Sequence, residues 1–98
     1  MSARQRGTPR PYAEARPTIT GTPAVGQNLV CNDGVWIPQS VTITRQWIRD
    51  ANTVIAGATG SVYALVGADQ THTVKCRVTA SNAYDTTVID TPSSATVA

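Results

Sequence analysis

The sequence predicts an all-β protein, a sandwich of about seven short antiparallel strands that follows an extended N-terminal arm. Thr, Val and Ile supply 32 of the 98 residues, and β-branched side chains favour strands over helices. Lys and Glu, which usually fill helix surfaces, occur once each, at Lys75 and Glu14. Leu, Ile and Val total 19 and Phe is absent, so the core must be thin. The net charge of +2 is too small to favour disorder.

Short alternating segments separated by turn signals recur along the chain beyond the arm. The clearest is the segment 73–81, in which Val74 and Cys76 lie on one face and Lys75 lies on the other. This period of two is typical of a strand with one buried and one solvated face. The other predicted strands lie at residues 18–20, 28–32, 41–48, 54–55, 61–66 and 86–89, with a last piece at 95–97. Strands at this spacing indicate two packed antiparallel sheets.

Residues 1–16 form an arm that differs in composition from the predicted domain, residues 17–98. The arm carries four arginines and one glutamate, a net charge of +3, whereas the rest of the chain carries −1. Prolines interrupt regular pairing, and Tyr12 is the arm's only large apolar residue after the first. We therefore expect the arm to be extended and to gain order by lying on another chain. The residues predicted to make that contact are Arg4, Arg6, Arg10, Tyr12 and Arg16.

Two cysteines flank a tryptophan along the predicted strands. The order Cys31, Trp47, Cys76 resembles that of an immunoglobulin-type domain, in which a disulfide between the two sheets packs on a buried tryptophan. The resemblance implies a Cys31–Cys76 disulfide, and two buried free thiols are the alternative. A disulfide would close a loop of 46 residues and stabilise the fold by about 4 kcal/mol. The predicted core residues are Leu29, Trp47, Tyr63 and Val78.

Six short runs carry a more specific resemblance. In chain order they are Val25–Cys31, Gly34–Trp36, Gln46–Arg49, Ile55–Tyr63, Ala68-Asp69 and Cys76–Asn82. Together these runs resemble the bacterial and phage immunoglobulin-like domain, and the resemblance covers about residues 17–98. It implies an immunoglobulin-like β-sandwich for this part of the chain.

The resemblance also implies a class of function. Such domains occur in bacterial surface proteins and on phage capsids, tails and fibres, and a free-standing copy with a short arm resembles a phage capsid decoration (cement) protein. We expect a non-enzymatic virion protein that binds the major capsid protein, or another virion protein, on the capsid exterior and stabilises the shell. The arginines of the arm suit carboxylates on such a surface. Self-association into a dimer or trimer is compatible with this arrangement.

The start of the chain bears on where the protein acts. No apolar run of the kind found in secretory signals follows Met1. We therefore expect synthesis in the host cytoplasm without a signal peptide, followed by assembly onto the virion. No apolar stretch approaches the roughly 20 residues of a membrane span.

Three other binding functions are alternatives to capsid decoration. A tail or fibre component, or a surface adhesion module, would bind host glycans through its loop ends, with Trp36 as the candidate sugar contact; alternatively, Trp36 closes one end of the sandwich. Nucleic-acid binding is disfavoured because Glu14 interrupts the arm, the arm has no Lys and its charge is modest.

No residue pattern in the sequence supports catalysis, a metal or a cofactor. His72 is the only histidine, and beside the Asp69 turn it is typical of a surface residue. Two cysteines on different strands with one histidine do not make a zinc set. The turn at residues 57–60 lacks the Lys-Ser/Thr of a phosphate loop. We therefore predict no enzyme, no catalytic residue, no metal and no cofactor.

Overall fold

The computed structural model describes residues 10–98, and these residues form an all-β fold. Strands make up 47% of them and no α-helix is present in this part of the chain, which confirms the predicted all-β class. In chain order the strands are β1 (Tyr12–Ala15), β2 (Thr18–Gly21), β3 (Asn28–Asn32), β4 (Val35–Ile37), β5 (Thr42–Arg49), β6 (Thr53–Val54), β7 (Val62–Ala64), β8 (Val74–Ser81) and β9 (Thr86–Asp90). A single 3-10 turn, Gly67–Asp69, precedes β8.

Over residues 10–98 the strand pairs are antiparallel and form three sheets. The largest has the order β9-β8-β5-β6, the second has the order β2-β3-β7, and the third is the pair β1-β4. The core draws side chains from the first two sheets, so their inner faces pack against each other. The result is a sandwich-like arrangement with one continuous core.

Alternation along β8 creates much of this core. Val74, Cys76 and Val78 are fully buried and point inward, while the residues between them are half-buried on the outer face. Trp47 of β5 lies opposite Cys76 and stacks on Tyr63 of β7, with ring centroids 5.5 Å apart. Its indole N–H donates to the Gly60 carbonyl over 2.8 Å. The four residues predicted for the core, Leu29, Trp47, Tyr63 and Val78, all lie in it.

The C-terminal segment differs from the prediction. Residues 95–97 do not form a strand piece. The chain still runs beside the start of β8, because the Ser94 N–H donates to the Val74 carbonyl over 2.8 Å. Further on, the Val97 N–H donates to the His72 carbonyl over 2.8 Å and the Ala98 N–H donates to the Pro23 carbonyl over 2.9 Å. Pro92 has no N–H to donate, which accounts for the break in regular pairing after β9.

A buried carboxylate ties together three parts of the sandwich. Asp69 is fully buried at the end of the 3-10 turn. Its Oδ1 accepts hydrogen bonds from the Arg49 guanidinium, and its Oδ2 accepts the Tyr63 hydroxyl over 2.6 Å and the Val66 N–H over 2.9 Å. Burial disfavours the ionised form, but these donors outweigh burial and lower the pKa of Asp69. Burial, together with the Asp69 charge, raises the pKa of Tyr63 to about 12.

This network makes stability depend on pH. A carboxyl whose pKa is depressed in the folded state stabilises the fold fully above its unfolded pKa near 3.9 and loses that contribution as the pH falls through the folded value. We expect Asp69→Asn to lower the free energy of unfolding by about 2–3 kcal/mol at pH 7, and the difference from the wild type to shrink below about pH 4. Urea unfolding at pH 7 and at steps down to pH 2 measures both effects. Asp85→Asn, in an exposed turn, is the control and should change little; a pH-independent effect of Asp69→Asn would contradict the account.

The two cysteines meet in the core, where both are free thiols in this structure; the disulfide that the resemblance implies stays a prediction. Cys31 of β3 and Cys76 of β8 are buried, and their side chains are in hydrogen-bonding contact between the two sheets. This contact, together with burial, raises the pKa of the Cys76 thiol far above its ordinary value. The same contact lowers the pKa of the Cys31 thiol, so Cys31 is the member of the pair that can supply the thiolate through which a disulfide forms.

The predicted disulfide remains testable on this geometry. We expect oxidation to join Cys31 to Cys76 and to raise the free energy of unfolding by up to about 4 kcal/mol. Urea unfolding of oxidised and reduced protein, with thiol counting by mass spectrometry, measures the effect. The variant Cys31→Ala/Cys76→Ala should show no difference between the two conditions. Oxidation that yields only intermolecular disulfides would contradict the pairing.

Candidate functional site

The second half of the predicted arm is built into the domain as β1. Tyr12 pairs with Ile37 and Ala13 pairs with Trp36, and a register shift between Ala13 and Ala15 then lets Ala15 pair with Val35. Pro11 is buried, and its carbonyl accepts the Thr87 hydroxyl of β9. These contacts hold residues 10–15 against β4 and β9 of their own domain, whereas the sequence predicted order only on another chain.

The physical reason is a partner strand that the sequence analysis did not predict. β4 is only three residues long and follows the turn at Asp33 and Gly34. Gly34 has a φ of +84°, and a Cβ placed there would lie 2.2 Å from the Ala15 carbonyl oxygen. Only glycine therefore lets β1 and β4 approach this closely. The alternation of Val35, Trp36 and Ile37 was the signal available for β4, but three residues are too few for periodicity to stand out.

Some arm residues stay accessible on this framework. Tyr12 is 54% exposed, and Arg10 and Arg16 are exposed at the two ends of β1. Val35 of β4 is also exposed on the outer face next to β1. Arg4 and Arg6 lie outside the described residues. The structure therefore brings Arg10 and Tyr12 together at the free end of β1 and separates Arg16 from them by the length of that strand.

The charges on the arm differ from those on the rest of the domain. Each cation of the domain has an acidic partner: Arg45 pairs with Asp33, Arg49 with Asp69, and both Lys75 and Arg77 with Asp90. Within residues 10–98, by contrast, no acidic side chain forms a salt bridge with Arg10 or Arg16. Among the residues that the structure describes, the Arg10 guanidinium donates to the Thr87 hydroxyl over 3.1 Å. Unneutralised, exposed guanidinium groups are available to an acidic partner.

Trp36 does not present a face to solvent. Its side chain is 5% exposed and belongs to the core, and its indole N–H donates to the Asp33 carbonyl over 2.7 Å. The suggested sugar contact at Trp36 therefore does not fit this geometry, because a stacking residue needs an open ring face. The sequence does not predict β1 as a strand of the domain. Ala13 of β1 pairs directly with Trp36.

The most exposed aromatic ring lies elsewhere, in the turn between β8 and β9. Tyr84 is 76% exposed. It borders a groove of about 560 Å³ whose other lining residues are Pro38, Ser40, Thr42, Ser81, Asn82 and Ala83. The Asn82 side chain accepts the backbone N–H groups of Tyr84 and Asp85, which fixes the shape of the turn. From its sequence, this segment is predicted only as a turn.

The remaining ionisable groups form surface or structural pairs. His72 lies 2.8 Å from the carboxylate of Asp50, and both side chains are more than 40% exposed. Over residues 10–98 no group of three or more metal-ligating side chains comes together. The same residues contain no helix long and apolar enough to cross a membrane.

Comparisons with known proteins add no relative. No family model matches the chain, and neither the curated proteins nor the solved structures give a match.

The β1–β4 contact can be tested at Gly34. Gly34→Ala combines a left-handed φ with a backbone clash, so we expect it to lower the free energy of unfolding by more than about 1 kcal/mol and to release β1. Gly57→Ala is the matched control, because Gly57 has a φ of +78° and nothing within 4 Å of an added Cβ. Urea unfolding and amide hydrogen exchange at Ala13 measure the two effects. An equal loss in both variants, with Ala13 still protected, would contradict a specific close approach at Gly34.

Proposed function

We propose that the protein is a non-enzymatic virion structural protein, a decoration or cement protein that binds the capsid exterior through its N-terminal arm. The observation that carries the proposal is the contrast in charge pairing. The domain neutralises its own cations with aspartates, whereas Arg10 and Arg16 lack acidic partners among residues 10–98. Arginines left without partners at the base of a basic segment suit a surface rich in carboxylates.

An immunoglobulin-like fold is part of the same proposal. Two features support it: the strand orders β9-β8-β5-β6 and β2-β3-β7, and the meeting of Cys31, Trp47 and Cys76 in the core between these sheets. In immunoglobulin domains a cysteine from each sheet packs beside a buried tryptophan in this way. Such a domain would be displayed outward while the arm faces the shell.

The position of β1 refines how the arm would act. Residues 12–15 are paired with β4, so the proposal assigns the contact with the partner to residues 1–9 together with the exposed side chains of Arg10 and Tyr12. Each arginine can form a bidentate bond with a carboxylate of the major capsid protein or another virion protein. Many copies on a symmetric shell would then link neighbouring subunits and stabilise the particle by mass action. Synthesis in the host cytoplasm, followed by assembly onto the virion, is part of the same proposal.

A second candidate function rests on the turn at Tyr84. An exposed aromatic ring beside a groove lined by the hydroxyl groups of Ser40, Thr42 and Ser81 has the chemistry to bind a glycan, since the ring offers an apolar face and the hydroxyl groups offer hydrogen bonds. A tail, fibre or adhesion module would use this loop end, with Tyr84 in the role first considered for Trp36.

Truncation separates the two functions. Removing residues 1–9 deletes Arg4 and Arg6 but leaves β1 in place, whereas removing residues 1–16 would also uncover the core beside Trp36. We expect the nine-residue truncation, and the charge variant Arg4→Gln/Arg6→Gln/Arg10→Gln, to bind particles lacking the protein at least about tenfold more weakly. Gln5→Ser/Thr8→Ser, which keeps the charge of the arm, is the matched control.

Sedimentation of the protein with particles at increasing salt concentration measures this binding. Full binding by the truncated chain would contradict the arm as the anchor. Binding of immobilised glycans that is lost in Tyr84→Ala and kept in the truncation would favour the adhesion function instead.

A further inference from the structure

The outer face of the β2-β3-β7 sheet carries no charged residue. Pairing in the sheet places its outward side chains in rows, and all of them are exposed. We call this surface the neutral face; its residues are Thr18, Thr20, Asn28, Val30, Asn32, Val62 and Ala64. The charges of the domain lie on the other sheet, inside the fold or in loops.

The outer face of the other sheet shows the usual protection against association. There Lys75 and Arg77 of β8 meet Asp90 of β9 in a cross-strand ion-pair cluster. Charged side chains on exposed strands keep sheets from stacking or pairing with each other. Among residues 10–98, β2 and β7 are the two edge strands of their sheet, and neither carries a charge or a proline. The edge strand β6 of the larger sheet lacks them too, but the outer face of that sheet carries the ion-pair cluster, whereas the outer face of the β2-β3-β7 sheet carries no charge. A whole face without these protective residues indicates a surface that is covered when the protein works.

The chemistry of the neutral face is self-complementary. Thr20, Val30 and Val62 form one row across the three strands, with Val62 50% exposed. The Asn32 amide lies 3.5 Å from the hydroxyls of both Thr18 and Thr20. Hydroxyl and amide groups both donate and accept hydrogen bonds, so they can pair with the same groups across a two-fold axis. Charged groups near such an axis would face their own kind and repel.

We propose that the neutral face packs against the neutral face of a second copy of this chain across a two-fold axis. A second copy fits this surface better than a charged partner does, because the neutral face has no charged side chain to pair with such a partner. Burial of the neutral face also leaves no charged group without a counter-ion. Val30 and Val62 would form the apolar centre of the interface, and the threonines and asparagines would form its polar rim.

Seven side chains on three short strands cover less than the roughly 800 Å² that each partner buries in a standard interface. The association of two copies should therefore be weak in solution. It should be strong where copies are held close together, because proximity raises their effective concentration. The interface does not depend on the proposed function, although neighbouring copies on a shell would supply that concentration.

A charge placed on the neutral face tests the proposal. We expect the full-length wild type to show a mass that rises with concentration up to about 1 mM in sedimentation equilibrium, and Val62→Lys to weaken this association at least about tenfold. Val88→Lys is the matched control, because Val88 is 51% exposed on a strand of the opposite sheet and its substitution should change nothing. Thr20→Lys, on the other edge strand of the neutral face, should repeat the Val62→Lys result, and circular dichroism checks that each variant is folded.

Several outcomes would overturn the proposal. These are a wild type that stays monomeric at about 1 mM, an equal effect of Val88→Lys, or new amide protection at Val62 and Ala64 that shows edge-to-edge strand pairing instead. Loss of association on removing residues 1–9 would assign it to the arm and also overturn it. Because particle binding at low protein concentration depends on the arm, Val62→Lys should still bind isolated sites, which separates this result from a failure of the decoration function.

Discussion

The pairing of β1 with β4 is the contact on which the arrangement of this protein depends. It closes the core over Trp36, it requires glycine at position 34, and it makes residues 12–15 part of the domain. The core has few large aliphatic side chains, so the buried apolar area of Trp36 is a large part of what stabilises it. Without β1, Trp36 would be exposed and that stabilisation would be lost. The same pairing fixes the position of Arg10, which precedes β1.

Charge is distributed to match this division of roles. Inside and across the larger sheet, aspartates neutralise every cation, and the buried Asp69 joins Arg49 and Tyr63 to the 3-10 turn. Such pairs fix the relative positions of strands that are far apart in sequence. The arginines beside β1 have no such task among residues 10–98, and the β2-β3-β7 sheet has no outward charge at all. One domain thus presents a basic end, a charged face and a neutral face, each suited to a different kind of contact.

Local patterning made much of the fold predictable. The alternation in β8 and the apolar positions of β3 identified buried faces correctly, because a period of two is visible within a single strand. The sequence does not predict the β1–β4 pair, because β4 has only three residues and because prolines lie on both sides of β1. The burial of Asp69 was also hidden, since its partner Arg49 lies 20 residues away and a turn aspartate looks solvated in sequence. At the candidate site, the sequence identified Arg10, Tyr12 and Arg16 by charge and composition, but only the structure shows which of them lie together.

The most direct test of the central claim is amide hydrogen exchange of the full-length chain, free and bound to particles. The account predicts that residues 1–9 gain protection on binding while the already protected amides of β8 stay unchanged. Residues 1–9 that exchange equally fast in both states, with new protection confined to the turn at Tyr84, would contradict it.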